Sequence, residues 1–439
     1  MPSPRPADPR DPGGRLTARD AIAPTRLARK LGTADAVVIG LGSMIGAGIF
    51  AALAPAAGAA GAGLLVALAI AGFVAYCNAT SSAALAALYP ESGGTYVYGR
   101  KRLSPFAGFV AGYGFVVGKL ASCAAMALTF GHYAAPAFAR PLAIVAVVVL
   151  TAINLRGIVK TARATRVVVA IVVACLALVV FATAFGGTAD FARAIPAGAL
   201  NAYDVLQAAG ILFFAFAGYA RIATLGEEVA DPAHTIPRAI PLALGIAFAV
   251  YVLVAVCALA AVGATRLAAS VAPLATAVEQ GRWAALSPVV RVGATVASLG
   301  VLLSLLAGVS RTAFAMAANG DLPRVLAAVH PRRRVPHRAE LAAGALTIIV
   351  VAVADVRNAI GFSSFAVLVY YAVANASALT LAAHERRWPR ALAGVGLAGC
   401  AIVALSLPPQ AIVAGVAVLG IGIVIYALRN RRNRSQSEP

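Results

Sequence analysis

Between residues 36 and 428 the chain passes through one apolar run after another, each close to the ~20 residues that span a bilayer. Of its 439 residues, 61% are hydrophobic and 12% charged, and the mean hydropathy is +0.87. No soluble core can absorb so much apolar surface. In lipid every backbone N–H and C=O needs an internal partner, so runs without a strand period must be helices. The sequence therefore predicts an all-α polytopic membrane protein. Twelve transmembrane helices are expected, over about 36–58, 63–88, 105–130, 141–155, 165–186, 205–225, 240–262, 286–315, 339–355, 360–383, 391–407 and 411–428.

Lys and Arg set the orientation. With the N-terminus inside, 28 of the 36 basic residues fall in inward-facing segments and six in outward-facing ones. Lys119 and Arg221 fall within spans. That bias requires an even number of spans and two cytoplasmic tails, residues 1–34 and 429–439. Residues 1–34 hold seven Lys or Arg and no separate short apolar core, so a disordered tail is expected rather than a cleaved signal peptide. A bacterial-type inner membrane is the expected location. The net charge of +20 invites a nucleic-acid reading, but the basic residues are spread over short loops, which excludes it. Cys77, Cys123, Cys175, Cys257 and Cys400 all lie in apolar runs without CxxC spacing. They read as small buried hydrophobes, not disulfides or metal ligands. The five His lie in or beside loops. No metal and no cofactor is expected.

Two spans carry a defect. In the first, Gly40, Gly42, Gly46 and Gly48 fall within Gly40-Leu-Gly-Ser-Met-Ile-Gly-Ala-Gly-Ile-Phe50. Each glycine costs a helix interior roughly 1 kcal/mol against alanine. Either the helix is opened, or Gly42-xxx-Gly46 is a helix-packing motif. A dinucleotide-binding loop is excluded by its spacing and by the lack of a strand. In the sixth, Gly210-Ile-Leu-Phe-Phe-Ala-Phe-Ala-Gly-Tyr-Ala-Arg221 again places small residues in an apolar helix. The two interruptions lie five spans apart, and an odd repeat length inserts the halves with opposite topology. Interrupted helices at matching places point to a substrate site near the midplane.

These residues carry a resemblance. Gly42-Ser-Met-Ile-Gly-Ala-Gly-Ile-Phe50 resembles the first-helix signature of the amino acid–polyamine–organocation (APC) transporter superfamily. Tyr89-Pro-Glu-Ser-Gly-Gly-Thr-Tyr-Val-Tyr98 resembles its loop after span two. Phe213–Gly218, the stretch from Gly226 to Pro232 and Ile236-Pro-Arg-Ala-Ile240 resemble its sixth span and following loop. Ser310–Pro323 resembles the end of its eighth. The resemblance implies a five-plus-five inverted repeat, residues 35–186 and 205–383, with two further C-terminal helices in 391–428. It implies alternating-access transport of amino acids or amines, as symporter or antiporter, coupled to protons or to exchange. Backbone N–H groups of the first break would hold the substrate carboxylate, and carbonyls of both breaks its ammonium. The matching positions are Ser43, Ile45, Gly46, Ala47, Gly48 and Ile49, with Phe214, Ala217 and Gly218.

A half-helix N-terminus has free N–H donors and partial positive charge, which suits a carboxylate. Phe214 resembles the family's aromatic gate; ordinary core packing is the alternative for it and for Phe216. Lys119 sits near the centre of span three, where a charge is costly. It would stand in for a coupling cation, exchange a proton, or meet an acidic substrate group; snorkelling or a distant salt bridge is the bland alternative. Arg221 is expected to pair with Glu227 or Glu228 at an inner gate rather than touch substrate. Two positions depart from the family: Val172 stands where proton-coupled members often have a lysine, and Ala220 where an acid is frequent. All sixteen Asp and Glu lie outside the span centres, which favours a neutral amino acid over a cationic one or a polyamine. An acidic substrate fits only if Lys119 faces the cavity. A membrane enzyme would need a polar catalytic cluster, and the sequence shows no HExxH, nucleophile–His–acid set or nucleotide loop.

Overall fold

The computed structural model describes residues 31–46, 48–91, 93–157, 162–196, 198–224 and 228–435. Among these the secondary structure is helical apart from one isolated bridge. In chain order the helices are α1 (Thr33–Met44), α2 (Gly48–Ala60), α3 (Leu64–Leu88), α4 (Thr95–Arg102), α5 (Pro105–Ala134), α6 (Ala139–Leu155), α7 (Ala162–Ala184) and α8 (Ala202–Phe216). They continue with α9 (Ala220–Ala223), α10 (Pro232–Ala269), α11 (Pro273–Glu279), α12 (Ser287–Ala318), α13 (His337–Val353), α14 (Val356–Leu379), α15 (Arg390–Leu405) and α16 (Pro409–Ser435).

Nine helical runs among the described residues are long and apolar enough to cross a membrane. This differs from twelve for physical reasons. The glycines split the first apolar segment, leaving α1 with 12 residues. A short 3-10 turn at Gly61–Gly63 joins α2 to α3, so Gly48–Leu88 is one continuous helical run. Helices α13 and α15 have only 17 and 16 residues. The outward faces of these helices are apolar. Val145, Val148 and Val149 on α6, Ile171 on α7, and Val413, Val416 and Ile421 on α16 are all exposed. Apolar surface of that extent is stable in a bilayer, not in water.

Lipid gives no hydrophobic drive between helices, so close approach and polar contacts hold the bundle. A Cβ on Gly131 of α5 would stand 2.1 Å from the Ala139 carbonyl oxygen of α6. Ser122 of α5 meets Ser363 of α14 at 2.6 Å. Asn375 of α14 donates to Asn78 of α3 at 2.6 Å. Asn154 of α6 donates to the buried Glu340 carboxylate, in the first turn of α13, at 2.7 Å.

Helices α4 and α11 lie between the expected spans. Gly93 and Gly94, with φ of 131° and 56°, turn the chain into α4, where the Thr95 N–H donates to the Tyr370 hydroxyl. Only glycine takes such backbone values cheaply. Asp321, after α12, accepts from the Tyr96 hydroxyl at 2.6 Å and from Arg100 at 2.8 Å. Burial, then the Asp321 contact, pushes the Tyr96 hydroxyl well above its ordinary ionisation range. Two of the motifs quoted above thus tie one loop to another. A further tie is the parallel bridge between Leu31 and Val229. There Leu31 N–H donates to the Glu228 carbonyl and Ala230 N–H to the Leu31 carbonyl, each at 3.1 Å.

Candidate substrate site at two helix breaks

Helix α1 stops at Met44, with Ile45 N–H closing on the Leu41 carbonyl, and the chain becomes helical again at Gly48. Ala47 lies outside the described residues. Helix α8 stops at Phe216, and Ala217–Tyr219 form a 3-10 turn before α9. The first span is therefore interrupted at its glycines, and the second tightens to a 3-10 turn at its small residues within the helical run Ala202–Ala223.

The two breaks touch. A Cβ on Gly218 would lie 2.3 Å from the Ser43 carbonyl oxygen and 2.7 Å from the Met44 nitrogen. One on Gly48 would lie 2.5 Å from Ala215 Cα, and one on Gly46 2.2 Å from Val301 Cγ2. Helix α1 ends before Gly46 and α2 begins at Gly48, and the glycines allow a close approach to neighbouring chain.

Side chains from the surrounding helices cap the carbonyls at these breaks. The Tyr251 hydroxyl of α10 lies 2.6 Å from the Met44 oxygen and 3.0 Å from the Ala215 oxygen. The Ala217 oxygen accepts from the Tyr371 hydroxyl of α14 at 3.3 Å and from Lys119 Nζ of α5 at 3.4 Å. The Tyr133 hydroxyl of α5 donates to the Phe50 oxygen at 3.2 Å. Lys119 is 6% exposed, with its ammonium 6.0 Å from the Phe115 ring centre. Among the described residues its hydrogen-bond partner is the Ala217 carbonyl, not a carboxylate. The second break thus carries a buried cation on its own carbonyl.

The remaining candidates divide. Ile45 and Ile49 are fully buried, and the Ser43 hydroxyl donates back to the Ile39 carbonyl at 3.0 Å, which leaves its backbone toward the second break. Phe214 is half-buried, whereas Phe216 is core, its ring 5.1 Å from Tyr251 and 6.3 Å from Phe248. Arg221 donates to the Thr224 hydroxyl at 3.4 Å and makes no ion pair among the described residues; Glu227 lies outside them. Val172 lines a small cleft with Leu41, Gly42, Ile45, Gly46, Val168 and Val169. Helix α7 therefore meets the first break with an apolar face. No group of three or more His, Cys, Asp or Glu able to hold a metal occurs among the described residues.

Sequence reasoning missed Tyr133, Tyr251 and Tyr371. A signal was present. A buried tyrosine hydroxyl needs a partner, and a helix interior offers none of its own. Tyrosines in mid-span therefore point to open carbonyls on a neighbouring helix.

Comparison with known proteins gives the chain a family. The family described as amino acid permease matches residues 35–425. A Mycobacterium tuberculosis protein described as an uncharacterized transporter is 60% identical over 425 residues, covering 97% of this chain and 94% of that one. The branched-chain amino acid permease BcaP of Bacillus subtilis is 24% identical over 452 residues, 94% of this chain and 97% of its own. The methylthioribose transporter of the same organism is 26% identical over 337 residues, 71% and 72% of the two chains. The chain is a multi-pass membrane transporter rather than an enzyme, and it belongs to the amino acid permease family of the APC superfamily.

Proposed function

We propose that the protein carries a neutral amino acid across a bacterial-type plasma membrane by alternating access, coupled to protons or to exchange. Twelve spans form the frame: an inverted pair of five-span repeats, 35–186 and 205–383, followed by two helices within 391–428, with both tails cytoplasmic. The contact between the two helix breaks carries this reading. At one place it sets the N-terminus of α2 against Ala215, close to the Met44 and Ala215 carbonyls that share the Tyr251 hydroxyl, with the Ala217 carbonyl two residues further along the chain. That is a donor set for a carboxylate and an acceptor set for an ammonium a few ångströms apart, the pair every zwitterionic amino acid presents. Ser43, Ile45, Gly46, Ala47, Gly48 and Ile49 form the first half of the site, and Phe214, Ala217 and Gly218 the second. Lys119 is the coupling group, and Arg221 belongs to the inner gate.

The similarity to a branched-chain amino acid permease, and the apolar residues around both breaks, make leucine the first substrate to test. Counterflow in proteoliposomes decides the class. Preloaded unlabelled substrate accelerates uptake of the labelled form through a carrier, and does not do so through a pore. If none of the twenty amino acids exchanges, the substrate class is wrong. One observation favours a second reading, a substrate without an amine: both donors on the Ala217 oxygen already belong to the protein. The methylthioribose transporter among the relatives is consistent with that alternative.

A further inference from the structure

A carbonyl oxygen has two lone pairs, and those of Ala217 are both engaged, one by Tyr371 and one by Lys119. The Met44 and Ala215 oxygens share the Tyr251 hydroxyl. An incoming ammonium that needs an acceptor at the second break must displace a donor already there. The 3.4 Å contact from Lys119 is the longest of these and the only one made by a cation. We propose that the substrate's amine and the ammonium of Lys119 compete for the Ala217 carbonyl, so that seating an amino acid expels a proton from Lys119 to the water that enters with it. This rests on the amino acid reading above and makes the carrier a substrate–proton antiporter.

Lys119 yields its proton because the substrate's charge is balanced and its own is not. The substrate's ammonium arrives with a carboxylate, which the N-terminus of α2 receives. Among the described residues Lys119 has no carboxylate within ion-pair distance. The ionisable groups around it are Cys123 on its own helix, Tyr219 in the 3-10 turn, and Tyr370 and Tyr371 on α14. Glu340 on α13 faces Cys123 and is held by Asn154, and Arg221 on α9 is itself flanked by Arg311 and Glu228. Two ammonium groups on one carbonyl, away from water, repel strongly. The cycle then balances. Substrate binding releases the proton on one side. After reorientation and substrate release, Lys119 takes a proton from the other side and returns to Ala217. Substrate and proton move in opposite directions.

The test is calorimetry on the full-length protein in nanodiscs, with leucine or whichever amino acid counterflow selects. Buffers of different ionisation enthalpy count the protons released. As long as Lys119 is charged, amino acid affinity rises about tenfold per pH unit, and binding releases a proton. The probe 4-methylpentanoate, leucine without its amine, binds with neither effect. Lys119→Met abolishes the proton release and flattens the pH profile. Lys119→Arg, which cannot deprotonate, loses the amino acid and keeps the amine-free acid. If the variants do not fold, the wild-type measurement alone decides. Amino acid binding without proton release, or equal release by 4-methylpentanoate, overturns the proposal. So does proton uptake with tighter glutamate binding at low pH, which would pair Lys119 with a substrate carboxylate. Absence of counterflow by any amino acid removes the amino acid reading itself, whereas counterflow without proton release removes only the competition.

Discussion

Gly218→Ala tests the contact between the two breaks. The added Cβ would stand 2.3 Å from the Ser43 oxygen and 2.4 Å from the Ser43 carbonyl carbon, against an ordinary contact of 3.4 Å or more. Both obstacles are backbone, so no rotamer change relieves them, and the two segments must part by about 1 Å. Overpacking of this kind costs about 1–3 kcal/mol. Taken wholly from substrate binding, that is roughly a 5- to 150-fold loss of affinity. Gly245→Ala is the control, because its Cβ would enter open space on the lipid-facing side of α10. Counterflow at graded substrate concentration, normalised to the amount of protein in the membrane, reads the outcome. The variant is expected to raise the half-saturating concentration at least about fivefold while Gly245→Ala matches the wild type. A Gly218→Ala protein with wild-type affinity and rate would refute a substrate site at this contact.

Three further outcomes are expected. Tyr251→Phe leaves the Met44 and Ala215 carbonyls without their shared donor, and a melting measurement should show a loss of about 1–3 kcal/mol; an unchanged melt would mean that these oxygens find other partners. The Arg102 hydrogen bond, and then the Ala382 N–H, hold the Glu385 carboxyl below its ordinary value of about 4.3. Its contribution is complete above that value and is lost as pH falls through the lower folded one, so wild type and Glu385→Gln should differ in melting temperature at neutral pH and converge near pH 3. A difference that persists at pH 3 would rule the pair out as its source. All five cysteines are buried, so a membrane-impermeant maleimide should label none of them until the protein is unfolded, and labelling of any one in the folded state would contradict its placement.

The two breaks were legible because glycine is conspicuous in an apolar helix, and Lys119 because a lone charge at mid-span has no cheap explanation. What Lys119 touches was not legible. Its partner is a backbone oxygen 98 residues away, and a carbonyl carries no sequence signature. The same holds for Tyr251 and Met44, 207 residues apart. Phe214 and Phe216 looked alike in sequence, and only packing shows that Phe216 faces inward against Tyr251. The apolar cleft at Val172 fits the missing lysine, since the sequence shows directly what a position lacks. Hydropathy marks where apolar chain lies but not where helices divide or fuse. It therefore separated segments that the structure runs together at Gly61–Gly63, and it passed over α4 and α11, which are too short to show a period.

The bridge between Leu31 and Val229 has a mechanical meaning. It lies beyond both interruptions, joining the chain that enters α1 to the chain that has just left α9. Two backbone hydrogen bonds, each 3.1 Å long, strap these two stretches of chain together. On the proposed alternating-access reading, a hinge at either end of the site would then carry both stretches at once rather than one alone.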